Sequence, residues 1–298
     1  MLTLFTIPKP FVGHTRTIQA NAIRSWSRLE PPCEIILFGN EVGTKEFAHK
    51  LGIRNISDVK ENKYGTPLLN DIFQKAQEQA KYDLMVFINA DIILLNDFIN
   101  AITLAKKWSN RFLMVGRRLD LDLDLELNFD EHKWQDQLRL LSQSGRLHSH
   151  TGIDYFAFKR GQWSNIPPFA IGRTVYDHWL IYQTRALGIP ILDATQMVTA
   201  IHQNHSYSKI SSEASINRKI ATKYPFSYLF SIKDATHLLQ QDKIVSVSDL
   251  RHFYRRILMY PLTSMNSKLF VSLSSFLLWL ALKLGKKDSA IERSFKNH

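Results

Sequence analysis

A single cysteine, Cys33, stands among the 298 residues. One thiol closes no disulfide framework and supplies no cysteine-based zinc site, so a reducing compartment is expected. There is no run of about 20 apolar residues, the length a spanning helix requires. Hydrophobic residues make up 45% of the chain but are dispersed along it. Their dispersal excludes repeated membrane spans, and their abundance excludes wholesale disorder. Internal repeats and low-complexity linkers are lacking, as is any stripe of interleaved arginines and aromatics or a known nucleic-acid module. Nucleic acid is therefore not an expected partner. The opening Met1-Leu2-Thr3-Leu4-Phe5-Thr6-Ile7-Pro8 lacks a charged leader before an apolar run, and Pro8 and Pro10 break it at once. It reads as a first strand rather than a signal peptide, and a cytoplasmic location is expected.

Acidic charge is also scarce, leaving a net charge of +11. Residues 226–298 hold 11 of the basic residues against 5 acids. Such an excess favours anionic partners, nucleotide diphosphates and anionic lipid surfaces among them. Within this quarter, residues 269–284 are almost wholly apolar, interrupted by Lys283 and flanked by Lys268 and by Lys286-Lys287. An interfacial helix lying on an anionic membrane fits those dimensions, with Arg251, Arg255 and Arg256 facing lipid. A buried core or dimer helix fits them equally.

The first hundred residues alternate short apolar runs with helical periodicity. Strands are expected over 2–7, 34–38 and 84–88, and helices over 15–29, 44–51 and 67–80, the second helix stopped by Gly52. This alternation predicts a mainly parallel, doubly wound α/β sheet. Ligands of such sheets bind beyond the carboxyl ends of the strands, so the loops after Ile7, Phe38, Val59 and Ile88 are the places to look. Further on, 174–187 reads as a helix, 189–192 as a strand and 196–201 as another. Residues 120–127 alternate acid and leucine strictly, the pattern of a half-exposed edge strand or extended loop. Its four acids could instead hold a cation, although their spacing matches no calcium loop. Beyond 225 the segments become helical and basic. The organisation expected is a domain over 1–225 and a helical extension over 226–298.

The stretch richest in chemistry is Leu84-Met85-Val86-Phe87-Ile88-Asn89-Ala90-Asp91, where an apolar strand runs straight into an acidic turn. A carboxylate there points beyond the sheet edge, where Mg²⁺ or Mn²⁺ could bridge it to a diphosphate. The alternative is that Asp91 caps the next helix. Asn89-Ala90-Asp91 resembles the Asp-x-Asp motif of GT-A glycosyltransferases, with asparagine in place of the first acid. Pro8 after the first strand, Asn40 and Glu41 after the second, and Glu61-Asn62-Lys63-Tyr64-Gly65-Thr66-Pro67-Leu68-Leu69-Asn70 before the next helix fall in the family's order. The resemblance covers residues 1–210 and implies a GT-A fold. It also implies transfer of a sugar from a nucleotide-diphosphate donor, UDP by default, onto a glycan or lipid-linked acceptor.

The resemblance assigns donor contacts to Pro8, Asn40, Glu41, Lys63, Gly65, Asn89 and Asp91, and a divalent metal to Asp91 with His202 or His205. His202, expected at the end of the 196–201 strand, is the preferred histidine. Asp177 resembles the acid heading the acceptor helix, which serves as base in inverting members; the alternative is an acid favoured by the helix dipole. Arg117 or Arg118 suits a departing diphosphate, the alternative being ordinary surface charge. Asp154 and Trp179 are candidates for sugar or acceptor contact. Two other functions remain open. A sugar-phosphate nucleotidyltransferase is opposed by Pro8-Lys9-Pro10-Phe11-Val12-Gly13-His14, which cannot form that class's glycine-rich phosphate loop. A non-catalytic carbohydrate- or partner-binding protein is suggested by Asn89.

Overall fold

The computed structural model describes residues 1–131, 133–205, 214–224 and 227–247. In chain order the strands and helices are β1 (Thr3–Thr6), α1 (Gly13–Ser27), β2 (Glu34–Phe38), α2 (Thr44–Leu51), β3 (Arg54–Ile56), α3 (Leu69–Gln79), β4 (Leu84–Ile88) and β5 (Ile92–Leu94). Then follow α4 (Asn96–Trp108), β6 (Leu113–Val115), β7 (Leu119–Leu121), α5 (Trp134–Ser142), β8 (Arg146–Leu147), β9 (Tyr155–Lys159) and α6 (Tyr176–Ala186). The last are β10 (Ile191–Asp193), β11 (Ala200–Gln203), α7 (Ala214–Ala221), β12 (His237–Gln240) and β13 (Lys243–Ser246).

Among the described residues the strands form two sheets. The larger runs β13-β12-β10-β6-β9-β4-β1-β2-β3, and the smaller β5-β11-β7-β8. In the larger sheet β1, β2, β3 and β4 are mutually parallel, as are β6, β10 and β12. Strand β9 lies antiparallel between β4 and β6, so the two parallel blocks point the same way. The architecture is thus mixed α/β with a mainly parallel large sheet. The strands read as unbroken apolar runs because both faces are buried. Leu4, Ile35, Leu37 and Val86 pack on one side with Trp26 and Phe98, while Phe5, Ile36, Phe38 and Phe87 pack on the other with Phe73 and Leu180. The smaller sheet is covered by α5, where Trp134 and Leu138 meet Ile93, Leu121 and Ile201.

Glycine ends α2 as expected: Gly52 adopts φ 64°, where an L side chain would be strained, and its N–H closes on Ala48 and His49 carbonyls. Several expected elements move. The 120–127 alternation yields only the short strand β7. Asp120 is buried in it and Leu125 lies exposed, because β11 and β8 flank β7 and make it an inner strand. The strand expected at 196–201 starts at Ala200, since Met197 and Val198 donate back to the Ala194 carbonyl in a turn. Consequently His202 lies within β11 rather than after it. The helical extension from 226 is corrected over its described part. Residues 237–246 form the β12–β13 hairpin, which pairs parallel to β10 and extends the main sheet. The apolar run 269–284 and its flanking charges lie outside the described residues. No described helix is long and apolar enough to cross a membrane.

Trp26 ties the layers together. It is fully buried, and its Nε1–H donates to the Ile92 carbonyl at 2.8 Å. Trp26→Ala is expected to lower unfolding free energy by about 3–5 kcal/mol, read from urea denaturation. Trp26→Phe refills part of the cavity but strands the Ile92 carbonyl, for a loss of about 1–3 kcal/mol.

Candidate metal and catalytic centre

Parallel pairing brings the functional loops to one edge. Pro8, Asn40-Glu41, Lys63–Gly65 and Asn89–Asp91 follow the carboxyl ends of β1, β2, β3 and β4, and Arg117 follows β6 on the same edge. Asp154 reaches it from the other direction, preceding the antiparallel β9, whose Tyr155 pairs with Ile88. Asn62 Oδ1 accepts the Tyr64 and Thr66 N–H groups, folding 61–67 into a tight loop that exposes Lys63 and Gly65.

Between Ile88 and Ile92 the chain leaves the large sheet and enters the small one, and Asp91 sits at that crossing. Antiparallel pairing of β5 with β11 sets His202 opposite Ile92. His205 Nε2 lies 3.2 Å from Asp91 Oδ2 and His202 Nε2 lies 3.7 Å from it. One ligand atom from each of the three residues falls within a 4.8 Å cluster. Asp91 Oδ1 is buried without a hydrogen-bond partner. A carboxylate with one oxygen orphaned and the other facing two imidazoles is a donor set that fits a divalent cation.

Electrostatics separate the acids of this edge. Burial raises the Asp91 pKa, but the hydrogen bond from His205 and the positive fields of His202, His205 and Lys9 outweigh it and hold the group below the usual carboxylate range. His202 is pushed below the ordinary histidine value, first by burial and then by Arg118 and His205, against the pull of Asp91 and Asp120. The Asp154 carboxyl moves the other way. Burial and the charges of Asp91 and Asp177 lift it to about 6 despite Arg118. Tyr176, packed on the Phe87 ring, is raised by burial and by the negative charges of Asp177, Asp154 and Asp91.

The Asp154 shift has a sign that can be measured. Its folded pKa lies above the unfolded value of about 4, so ionisation opposes folding, and the loss grows as pH rises through that interval. Asp154→Asn removes this burden. The stability of the variant relative to the parent chain is expected to increase by up to about 3 kcal/mol from pH 4 to pH 7.5. Urea midpoints across that range measure it, and a flat difference would refute it.

Asp177 stands in the first turn of α6, with Oδ1 buried and unpartnered and Oδ2 3.9 Å from His178 Nε2. The residue before the helix, Val175, has φ 97°, a strained value for a β-branched side chain. This turn explains why α6 starts two residues later than expected. His178 is pinned by the Phe230 carbonyl.

Two expected site assignments are corrected. Trp179 is 1% exposed and packs edge-on against Phe169 and Tyr224; it is a core residue, closed to a sugar. Arg118 does not face outward for a phosphate. Its Nε donates to Asp120 at 2.9 Å and its Nη1 to Asp154 at 3.0 Å. Arg117 is half-exposed, and its guanidinium donates to the His148 carbonyl. Asn89, the substituted motif position, gives its Nδ2–H to Asp154 at 2.6 Å. An aspartate there would set a further negative charge against a carboxyl already hard to ionise. Sequence reasoning missed His148 and Tyr176 as parts of this centre, and it weighed Asp120 only as one of four alternating acids. A polar cleft of about 290 Å³ opens beside it, lined by Asp120, Leu121, Asp122, Ser144, Arg146 and Asn204.

No family model and no curated protein matches this sequence. The fold is similar to solved structures. One is TarS 1-349 of S. aureus in complex with UDP-GlcNAc, at 11% identity and TM-score 0.48, covering 75% of this chain and 66% of that one. Another is glucosyl-3-phosphoglycerate synthase of Mycobacterium tuberculosis with Mn²⁺, UDP-glucose and glycerol 3-phosphate, at 17% identity and TM-score 0.46, covering 83% and 86%. This chain spans just under two thirds of the TarS structure. Likenesses of this strength leave the function to be read from the site itself.

Proposed function

We propose that the chain is a GT-A-type glycosyltransferase that moves a sugar from a nucleotide-diphosphate donor, by default a UDP-sugar, to a hydroxyl of a glycan or lipid-linked acceptor. The observation that carries this reading is the Asp91–His202–His205 cluster, set at the carboxyl edge of a mainly parallel sheet beside the acids Asp154 and Asp177. Nucleotide ligands of such sheets bind at this edge. A divalent ion, Mn²⁺ or Mg²⁺, held by Asp91, His202 and His205 would offset the charge of the departing diphosphate. Pro8, Asn40, Glu41, Lys63 and Gly65 line the donor side, and the charge of Lys9 reaches Asp91.

Asp177 is the base of an inverting transfer. Its unpartnered oxygen takes the proton of the acceptor hydroxyl as that oxygen attacks the anomeric carbon; the bond from that carbon to the diphosphate breaks, and its electron pair leaves with the nucleotide. Asp154, held by Asn89 and Arg118, turns its remaining lone pairs to sugar hydroxyls. Docking on the inner face of an anionic membrane through residues 251–287 would bring a lipid-linked acceptor close.

A thermal-shift panel of nucleoside diphosphates and nucleotide sugars, each with and without Mn²⁺, tests this directly, because a ligand of the folded state raises the melting point. A metal-dependent rise with one nucleotide supports the reading and names the base. No rise with any of them returns the chain to a non-catalytic binding role.

A further inference from the structure

Asp120 has no part in the reading above, yet Arg118, His148, His202 and the more distant Arg146 all converge on its carboxylate. Parallel pairing of β7 with β11 sets Asp120 level with His202, while β5 sets Ile92, the neighbour of Asp91, on the other side of the same histidine. Residues level on adjacent strands turn their side chains to one face. Register alone therefore puts a carboxylate beside the His202 ring. Asp120 Oδ1 lies 3.3 Å from His202 Nδ1, whereas the opposite nitrogen, Nε2, faces Asp91 Oδ2 at 3.7 Å. The His202 side chain is 3% exposed, and its buried Nδ1, which closes no hydrogen bond, has the Asp120 carboxylate as a near neighbour.

Asp120 is itself held fast. Arg118 Nε donates to Oδ1 at 2.9 Å, and the His148 Nδ1 edge meets Oδ2 at 2.7 Å. Gly152 allows the second contact: a Cβ at that position would stand 2.3 Å from the His148 ring.

We infer that Asp120 is a positioning residue for the metal centre: it accepts the Nδ1–H of His202 and so turns the Nε2 lone pair toward the cation that Asp91 and His205 share. The inference rests on the metal-assisted reading of the site. A neutral imidazole carries one proton and one lone pair, so fixing the proton on Nδ1 commits Nε2 as the ligand atom. A carboxylate behind a ligating histidine also fixes the ring orientation and raises the basicity of the ligating nitrogen.

Two measurements on the full chain test it. In ¹⁵N-histidine NMR of the metal-free protein, His202 is expected to carry its proton on Nδ1 and to keep it there on saturation with Mg²⁺. A proton on Nε2 in the metal-free chain overturns the inference without any variant having to fold. In Mn²⁺ titrations followed by electron paramagnetic resonance, Asp120→Asn is expected to bind about ten- to a hundredfold more weakly. Asp124→Asn, which changes an exposed acid of the same run, should bind as the parent does. Melting curves in EDTA check that Asp120→Asn remains folded. Unchanged Mn²⁺ affinity in a folded Asp120→Asn chain refutes the role of Asp120 alone, whereas failure of the parent chain to bind Mn²⁺ refutes the metal reading itself.

Discussion

Asp91→Ala is expected to abolish the Mn²⁺-dependent rise in melting point with nucleotide and to lower sugar transfer by about a thousandfold. The carboxylate is the negative member of a cluster whose other two ligands are imidazoles. Without it two neutral rings must hold a dication, and the leaving diphosphate loses several kcal/mol of charge stabilisation; about 4 kcal/mol corresponds to that thousandfold. The fold should persist. Oδ1 has no partner to lose, but Oδ2 faces His202 and His205, whose side chains are 3% and 8% exposed, so stability in EDTA should fall by about 1–3 kcal/mol. Isothermal titration with Mn²⁺ and donor, alongside a transfer assay, reads both effects. Full Mn²⁺ affinity in this variant would remove Asp91 from the metal site.

Asp177→Asn should leave Mn²⁺ and donor binding intact while kcat falls by about 10²–10⁴, the range for loss of a general base. The change keeps the shape of the side chain and removes the proton acceptor. Asp177 makes its ion-pair contact with His178 rather than with Asp91, His202 or His205, so the donor half of the site should be little changed. A loss confined to acceptor KM, with kcat preserved, would make Asp177 an acceptor-positioning residue and would favour a retaining mechanism.

Legibility from sequence followed the range of the interactions. Strands β2 and β4 and helix α2 occur where the pattern predicted them, because continuous apolar runs and a glycine stop are local signals. Asp91 stood out because an apolar strand ended on it. Asp120 did not, since its alternating run is the usual mark of a half-exposed strand, and only pairing with β11, some 80 residues later, turns it inward. The fates of Arg118 and Trp179 were likewise set by distant partners. The guanidinium found two carboxylates, and the indole found Phe169 and Tyr224. The β12–β13 hairpin was hidden by a basic, helix-like composition around it, and it forms because β10 offers an unpaired edge.

The position of Asn89 and Asp91 at the crossing from one sheet to the other means that the centre is a joint. Asp91, His202 and Asp120 ride with the four-stranded sheet, while Asp154 and Asp177 ride with the nine-stranded sheet and the helix packed on it. Arg118 straps the halves together, with one arm on Asp120 and another on Asp154. On the proposed reading, the gap between the residues that would grip a diphosphate and the one that would deprotonate a hydroxyl is set by how the two sheets sit on each other. A donor touching both sides would act as a rivet across that seam.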